Sequence, residues 1–215
     1  MKKRIVSLLL AAALLTGAAS AAGEESTAEH PDLDLSAASA VLMEKETGSL
    51  LYEKESHQQL EPASVTKVMT LLLIMEDLDS GRLSKEDLVT VSAAAAGMGG
   101  SQVYLKEGEQ FSAGELIKCI AVVSGNDAAV AMAEHLAGSE AAFVERMNRR
   151  AQELGMKDTV FVNCTGLPAA GHHSSAYDIA LMSRELILHH PDIRTYTTIW
   201  MDSIRDGAFG LTNTN

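Results

Sequence analysis

Apolar positions along the chain fall into helical stripes more often than into strands. The longest run is Val68-Met69-Thr70-Leu71-Leu72-Leu73-Ile74-Met75, too apolar for a helix that faces water on any side. Pro62 precedes it, and Asp79-Ser80-Gly81 ends it, with Gly81 as the C-terminal stop. A second apolar helix opens at the capping box Ser112-x-x-Glu115 and runs to Val123. It halts at Ser124-Gly125-Asn126, and another helix spans Asp127 to about Ala137. A further helix covers Glu140 to Leu154, closed by Gly155. Phe143, Met147, Ala151 and Leu154 form its apolar stripe, which leaves Arg146, Arg149 and Arg150 on a solvated side. Ser175-x-x-Asp178 caps a helix to about His189, where Pro191 stops it.

Strand signals are fewer. Ala40–Lys45 and Ser49–Lys54 flank the turn Glu46-Thr47-Gly48-Ser49 and read as a hairpin. Short extended runs follow at Leu88–Ser92, Gln102–Leu105 and Thr159–Val162. Ala93–Ser101 and Asn163–Ser174 carry loop composition. From Ile193 to Asn215 no period is visible, so the pattern predicts no return to strands there. The class is α+β, a helical cluster against an antiparallel sheet that looks unfinished at the C-terminus.

Composition narrows the classes. The 215 residues are 47% hydrophobic and 21% charged, which is globular. With aromatics at 4%, the core must rest on aliphatic residues and the ten Met. Net charge is −12 and no basic run follows the N-terminus, which excludes nucleic acid as a partner. Met1-Lys2-Lys3-Arg4, the apolar Ile5–Leu15 and Ala19-Ser20-Ala21 read as a signal peptide over residues 1–21. An uncleaved anchor is the alternative, disfavoured because the apolar run is short for a span. Residues 22–34 then form a linker, and 35–215 one domain, exported to the cell envelope or beyond. Cys119 and Cys164 show no disulfide framework and are expected as free thiols.

A helix that starts near Ala63 puts Ser64 and Lys67 one turn apart on one face. The positive helix end and desolvation both disfavour an ammonium there. A neutral Lys67 could take the Ser64 proton and make it a nucleophile. Ser-x-x-Lys alone is a weak signal; the buried helix behind it raises its weight. Ser124-Gly125-Asn126 is by composition an ordinary turn. Held between two apolar helices, it can offer Ser124 as a proton relay and Asn126 to orient Lys67 and substrate. Asp127 reads as a helix N-terminal charge. His172-His173 and His189-His190 lack Cys or carboxylate partners at ligand spacing, so no metal and no other cofactor is expected.

Ser64-x-x-Lys67 followed by Ser124-x-Asn126 resembles the penicillin-binding serine D,D-peptidases, and the closer match is to their low-molecular-mass D-alanyl-D-alanine carboxypeptidases (peptidase family S11). More patterns fall in that family's order. They are Ala40-Val41-Leu42-Met43 with Thr47-Gly48, Pro62–Thr70, Gly99-Gly100-Ser101, Ser124–Ala128, Phe143-Val144-x-x-Met147-Asn148, Leu154-Gly155-Met156, Thr159-x-Phe161, Gly166-Leu167 and Ser175-Ala176-x-Asp178. The resemblance covers about Leu35 to Asn215. It implies a β-lactamase/D,D-peptidase-like fold and catalytic Ser64, Lys67, Ser124 and Asn126. The implied partners are peptidoglycan stem peptides ending in D-Ala-D-Ala and β-lactams that acylate Ser64; peripheral membrane association is a further implication. The family's third motif, Lys-Thr-Gly, does not occur after Asn126, and Thr212-Asn213-Thr214-Asn215 resembles the lead-in to it. The sequence therefore reads as cut off before that motif. The alternatives are an inactive penicillin-binding-like domain and a class A β-lactamase. Gly125 in the middle of the second motif and the lack of Glu-x-x-Leu-Asn argue against the β-lactamase.

Overall fold

The structure is a computed structural model that describes residues 33–213; the signal peptide and most of the linker lie outside the described residues. Its elements in order are β1 (Ala40–Met43), β2 (Leu50–Lys54), a 3-10 turn (Ala63–Thr66), α1 (Lys67–Asp79), β3 (Leu88–Thr90), α2 (Ala93–Ala96), β4 (Gln110–Ser112), α3 (Ala113–Val123), α4 (Asn126–Ala137), α5 (Glu140–Glu153), α6 (Ala176–His189), a 3-10 turn (Pro191–Ile193), α7 (Arg194–Thr197), β5 (Met201–Ile204) and β6 (Phe209–Thr212). The α+β class holds, but the strands make three separate antiparallel pairs, β1–β2, β3–β4 and β5–β6.

Helix α1 is the hub. Met69 through Met75 are all buried, and the helix packs on α3, α4, α5 and α6. Every residue of α4 from Asn126 to Ala133 is buried. Its run of Ala lets neighbouring helices come close on several sides, since a small side chain holds backbones apart by less than Leu would. The cap signals read from sequence are met. Ser112 and Glu115 exchange both capping-box bonds, and the Ser175 hydroxyl accepts from the Asp178 amide.

Several expectations are corrected. The C-terminal region does return to strands. β5 and β6 bury only Ile204 and Leu211, too few positions to show a period. Arg205-Asp206-Gly207 makes their turn, all three at positive φ. Gln102–Leu105 is not a strand, and the partner of β3 is Gln110–Ser112 instead. Val160 contributes a single bridge, to His173. The solvated face given to α5 is wrong for two of its three arginines. Arg146 donates to Asp77, a carboxylate only 2% exposed, and Arg150 bridges Glu76 on α1 and Glu185 on α6. Those carboxylates arrive from other helices, so the α5 sequence alone cannot show them.

Among the described residues no helix is long and apolar enough to cross a membrane. Cys119 and Cys164 are free and buried, as expected.

Candidate active site

Ser64 sits in the 3-10 turn that feeds α1, and Lys67 is the first residue of the α-helix proper. The turn is entered at positive φ by Ala63 (+46°), a conformation in which an L-residue is strained. Lys67 is 3% exposed. Its Nζ lies 3.4 Å from Ser64 Oγ and donates to the Thr165 carbonyl at 2.7 Å. Burial pulls the ammonium down from its ordinary 10.5 to about 8, against a smaller opposing pull from Cys164. At pH 7 this leaves roughly a tenth of the amine neutral, against about one part in three thousand at the ordinary value.

Thr165 belongs to a loop built on Asn163. The Asn163 Oδ1 accepts from the amides of Thr165 and Gly166, and its Nδ2 donates to the Leu167 carbonyl. Thr70 Oγ1 donates to the Cys164 carbonyl at 2.7 Å, a second tie between α1 and the loop. Gly166 (φ +83°) lies against the nucleophile turn itself. A Cβ there would sit 1.7 Å from the Ala63 carbonyl oxygen, so only glycine fits. The base of the loop is pinned by paired backbone bonds between Leu60 and Ser174. An open cavity of about 490 Å³ lies between this loop, over Pro168 to His173, and Gln59 and Glu61.

The Ser124-Gly125-Asn126 turn is as rigid as its position between helices suggests. Ser124 takes a left-handed conformation (φ +56°) at the end of α3. Asn126 is 3% exposed; its amide donates to Ser101 and its Nδ2 to Gly99. Among the described residues, Ser124 Oγ and Asn126 Oδ1 are both buried with no hydrogen-bond partner. Two such oxygens on one turn leave hydrogen-bonding capacity that a ligand or reacting group could use. Asn126 does not orient Lys67 by a hydrogen bond; the Thr165 carbonyl holds that amine instead. Asp127 is more than a helix-end charge. Fully buried, it accepts from the amides of Val103, Leu105 and Ala128 and so fixes the segment after Gly99–Ser101.

Asn163 and Thr165 escaped the sequence reading, and Gly166 entered it only through the Gly166-Leu167 pattern, with no role given. Asn163-x-Thr165-Gly166 was the available signal, an Asn followed by a Gly that accepts positive φ. Among the described residues one trio could hold a metal ion, Glu76, Glu185 and His190. Sequence spacing concealed it because the carboxylates come from two helices. Arg150 already bridges the two glutamates and the His190 ring hydrogen-bonds Asp79, so all three side chains have partners within the protein.

Residues 24–215 match the peptidase S11 family model, described as D-alanyl-D-alanine carboxypeptidase. The chain belongs to the S11 family. It is 49% identical over its whole length to the D-alanyl-D-alanine carboxypeptidase DacF of Bacillus subtilis (strain 168), of which it covers 56%. To DacD of Escherichia coli (strain K12) it is 43% identical over 74% of the chain, covering 42% of that protein. It thus spans about half the length of these curated S11 relatives. Among solved structures, penicillin binding protein 5 from Haemophilus influenzae superposes with a TM-score of 0.81 at 31% identity, over 85% of this chain and 54% of that one. Penicillin binding protein 6B from Escherichia coli gives 0.77 at 40% identity, over 82% and 57%. Penicillin-Binding Protein D2 from Listeria monocytogenes, in its ampicillin-bound form, gives 0.76 at 31%, over 86% and 75%. These S11 likenesses establish the D,D-peptidase fold.

Proposed function

We propose that this chain carries the nucleophile of a serine D,D-carboxypeptidase. It would remove the terminal D-alanine from peptidoglycan stem peptides through a Ser64 acyl-enzyme, and β-lactams would acylate the same serine. One observation carries the reading: a buried Lys67, with its pKa pulled to about 8, lies 3.4 Å from Ser64 Oγ. That is a base poised near neutral pH beside a hydroxyl. The ampicillin-bound Listeria relative supports the β-lactam half of the proposal.

In the proposed reaction neutral Lys67 takes the Ser64 proton while Oγ attacks the carbonyl carbon between the two D-Ala residues. The Ser64 amide lies at the start of the 3-10 turn and, among the described residues, donates to no carbonyl outside it, so it is offered to the oxyanion. Such donors are worth about 3–4 kcal/mol in the transition state. The tetrahedral intermediate expels the D-Ala amine, which takes the proton Lys67 received from Ser64, relayed through Ser124 Oγ. Water then attacks the ester and returns Ser64 and Lys67 to their starting states. Asn126 Oδ1, buried and unpartnered, is assigned to the substrate amide. The family's third motif, Lys-Thr-Gly, does not occur in the 215 residues, and substrate-carboxylate binding is assigned to none of them. The proposed substrate and the Met1–Ala21 pattern support export to the envelope or beyond, with peripheral membrane association as a further part of the proposal.

The test is intact-mass spectrometry after incubation with benzylpenicillin. It is run on the 215-residue chain and on a chimera joined to the part of DacF that the match leaves out. A penicilloyl adduct on Ser64, absent from Ser64→Ala, is expected. No adduct on either protein, or one that survives Ser64→Ala, overturns the assignment.

A further inference from the structure

His172 lies in the same loop as Thr165, seven residues on, and is 5% exposed. Both ring nitrogens are engaged. The Val162 amide donates to Nδ1 at 3.0 Å. Nδ1 must therefore be the unprotonated nitrogen, which leaves the proton on Nε2. Nε2 lies 2.8 Å from Thr66 Oγ1, so it is the donor to that hydroxyl. Thr66 is the last residue of the nucleophile turn, immediately before Lys67. The ring also meets Phe161 edge-on, which fixes its plane. One neutral imidazole thus joins the turn that carries Ser64 to the loop that supplies the carbonyl for Lys67.

We propose that His172 is a positioning residue for the Ser64–Lys67 pair, tying Thr66 to the loop so that the Thr165 carbonyl stays on the Lys67 amine and water stays off it. The proposal rests on the reading of Ser64 and Lys67 as nucleophile and base. No family pattern noted in the sequence includes His172. Its tie acts in parallel with the bond from Thr70 to Cys164, and the two lie on either side of Lys67 in sequence.

Acid would undo the arrangement. An imidazolium carries N–H at both nitrogens, so one would face the Val162 N–H and that bond would be lost. The titratable groups facing the ring are His173, its chain neighbour, and Glu61 on the segment before the turn. Burial lowers the pKa of His172 first, the His173 charge adds to this, and Glu61 opposes both. The imidazole therefore stays neutral at neutral pH, and the ring lines the open cavity, through which a proton can arrive.

The test needs no substrate, so it can fail independently of the carboxypeptidase reading. The 215-residue chain is labelled with 13Cε-lysine and 15N-histidine, and Lys67 is identified by its loss in Lys67→Arg. Native protein should titrate Lys67 near 8, and its His172 shifts should show the Nε2–H tautomer. In His172→Leu the Lys67 midpoint should rise by about one unit or more, as water reaches the amine. His172→Gln should restore it, because a Gln amide can accept from Val162 and donate to Thr66. Thr66→Val cuts the same tie from the other side and should shift Lys67 as His172→Leu does, which covers a Leu variant that does not fold. A Lys67 midpoint unmoved in both His172→Leu and Thr66→Val, or a native Nδ1–H tautomer, overturns the proposal. A Leu variant that shifts Lys67 without rescue by Gln overturns it as well, since packing alone would then explain the effect.

Discussion

Lys67 donates to the carbonyl of Thr165 at 2.7 Å, a tighter contact than the 3.4 Å it makes with Ser64. The amine is held from behind by the loop and faces the hydroxyl it is proposed to deprotonate. A buried ammonium is uncomfortable there, and that discomfort would prepare it for the proposed role of base.

Acylation should therefore rise with pH. Lys67 is a base only when neutral, so the rate of penicillin acylation should climb through pH 7 and level off above about 8. Stopped-flow with a fluorescent penicillin, on whichever form accepts the drug, measures it. A flat profile from pH 6 to 9 would remove Lys67 from the role of base.

The same burial should weigh on stability. The folded pKa of about 8 lies below the ordinary 10.5, so the unfolded chain binds more protons between those values. Lys67 thus penalises the fold fully below pH 8, and the penalty fades as pH rises towards 10.5. Lys67→Met should stabilise the protein at pH 7 by ~1–2 kcal/mol, less than the full shift because the Thr165 carbonyl loses its donor. Urea denaturation at pH 7 checks the sign, and acylation should vanish in the same variant.

Gly166→Ala should be far more harmful than Gly171→Ala. Both glycines have positive φ, but only at Gly166 would the new methyl meet the Ala63 carbonyl oxygen; Gly171 faces open space. Backbone strain alone costs about 1–2 kcal/mol at either position. Gly166→Ala should add the displacement of the Ser64 turn, with loss of the penicilloyl adduct and a total cost of ~3 kcal/mol or more. Equal melting temperatures for the two variants would contradict this.

Asp127→Ala should release the segment after Ser101. The amides of Val103 and Leu105 lose their acceptor in the protein interior, at a cost of ~2–4 kcal/mol. Hydrogen exchange should accelerate at those two amides before it does in α1.

Arg146→Met should destabilise through Asp77. That carboxylate is 2% exposed and would keep only Arg82, itself largely exposed. Stranding part of a buried ion pair costs about 1–3 kcal/mol here, below the range for complete loss of a partner. Asp77→Asn combined with Arg146→Met should recover part of the loss in thermal unfolding.

What the sequence discloses is what depends on neighbours in sequence. The buried run from Met69 to Met75, the capping box at Ser112 and Glu115, and the one-turn spacing of Ser64 and Lys67 are local, and each is found as expected. The misses are contacts across long separations. Arg146 looks solvated until Asp77 arrives from α1, and Asn126 looks like the partner of Lys67 until the Thr165 carbonyl takes that place. A main-chain carbonyl carries no residue signature, so Asn163-x-Thr165-Gly166 could mark the loop but not name the Thr165 carbonyl as the partner of Lys67. Ile204 and Leu211 anchor the last hairpin with one buried residue per strand, below what periodicity can reveal.

The bond between Lys67 and Thr165 spans 98 residues of chain. A ribosome adding about 5–20 residues per second makes the lysine roughly 5–20 seconds before the carbonyl that will hold it. Through that interval the amine is hydrated and protonated, and the serine beside it is an ordinary alcohol. The contact that prepares Lys67 for its proposed role therefore waits until the chain has passed Thr165, and the order of synthesis keeps its two halves apart until then.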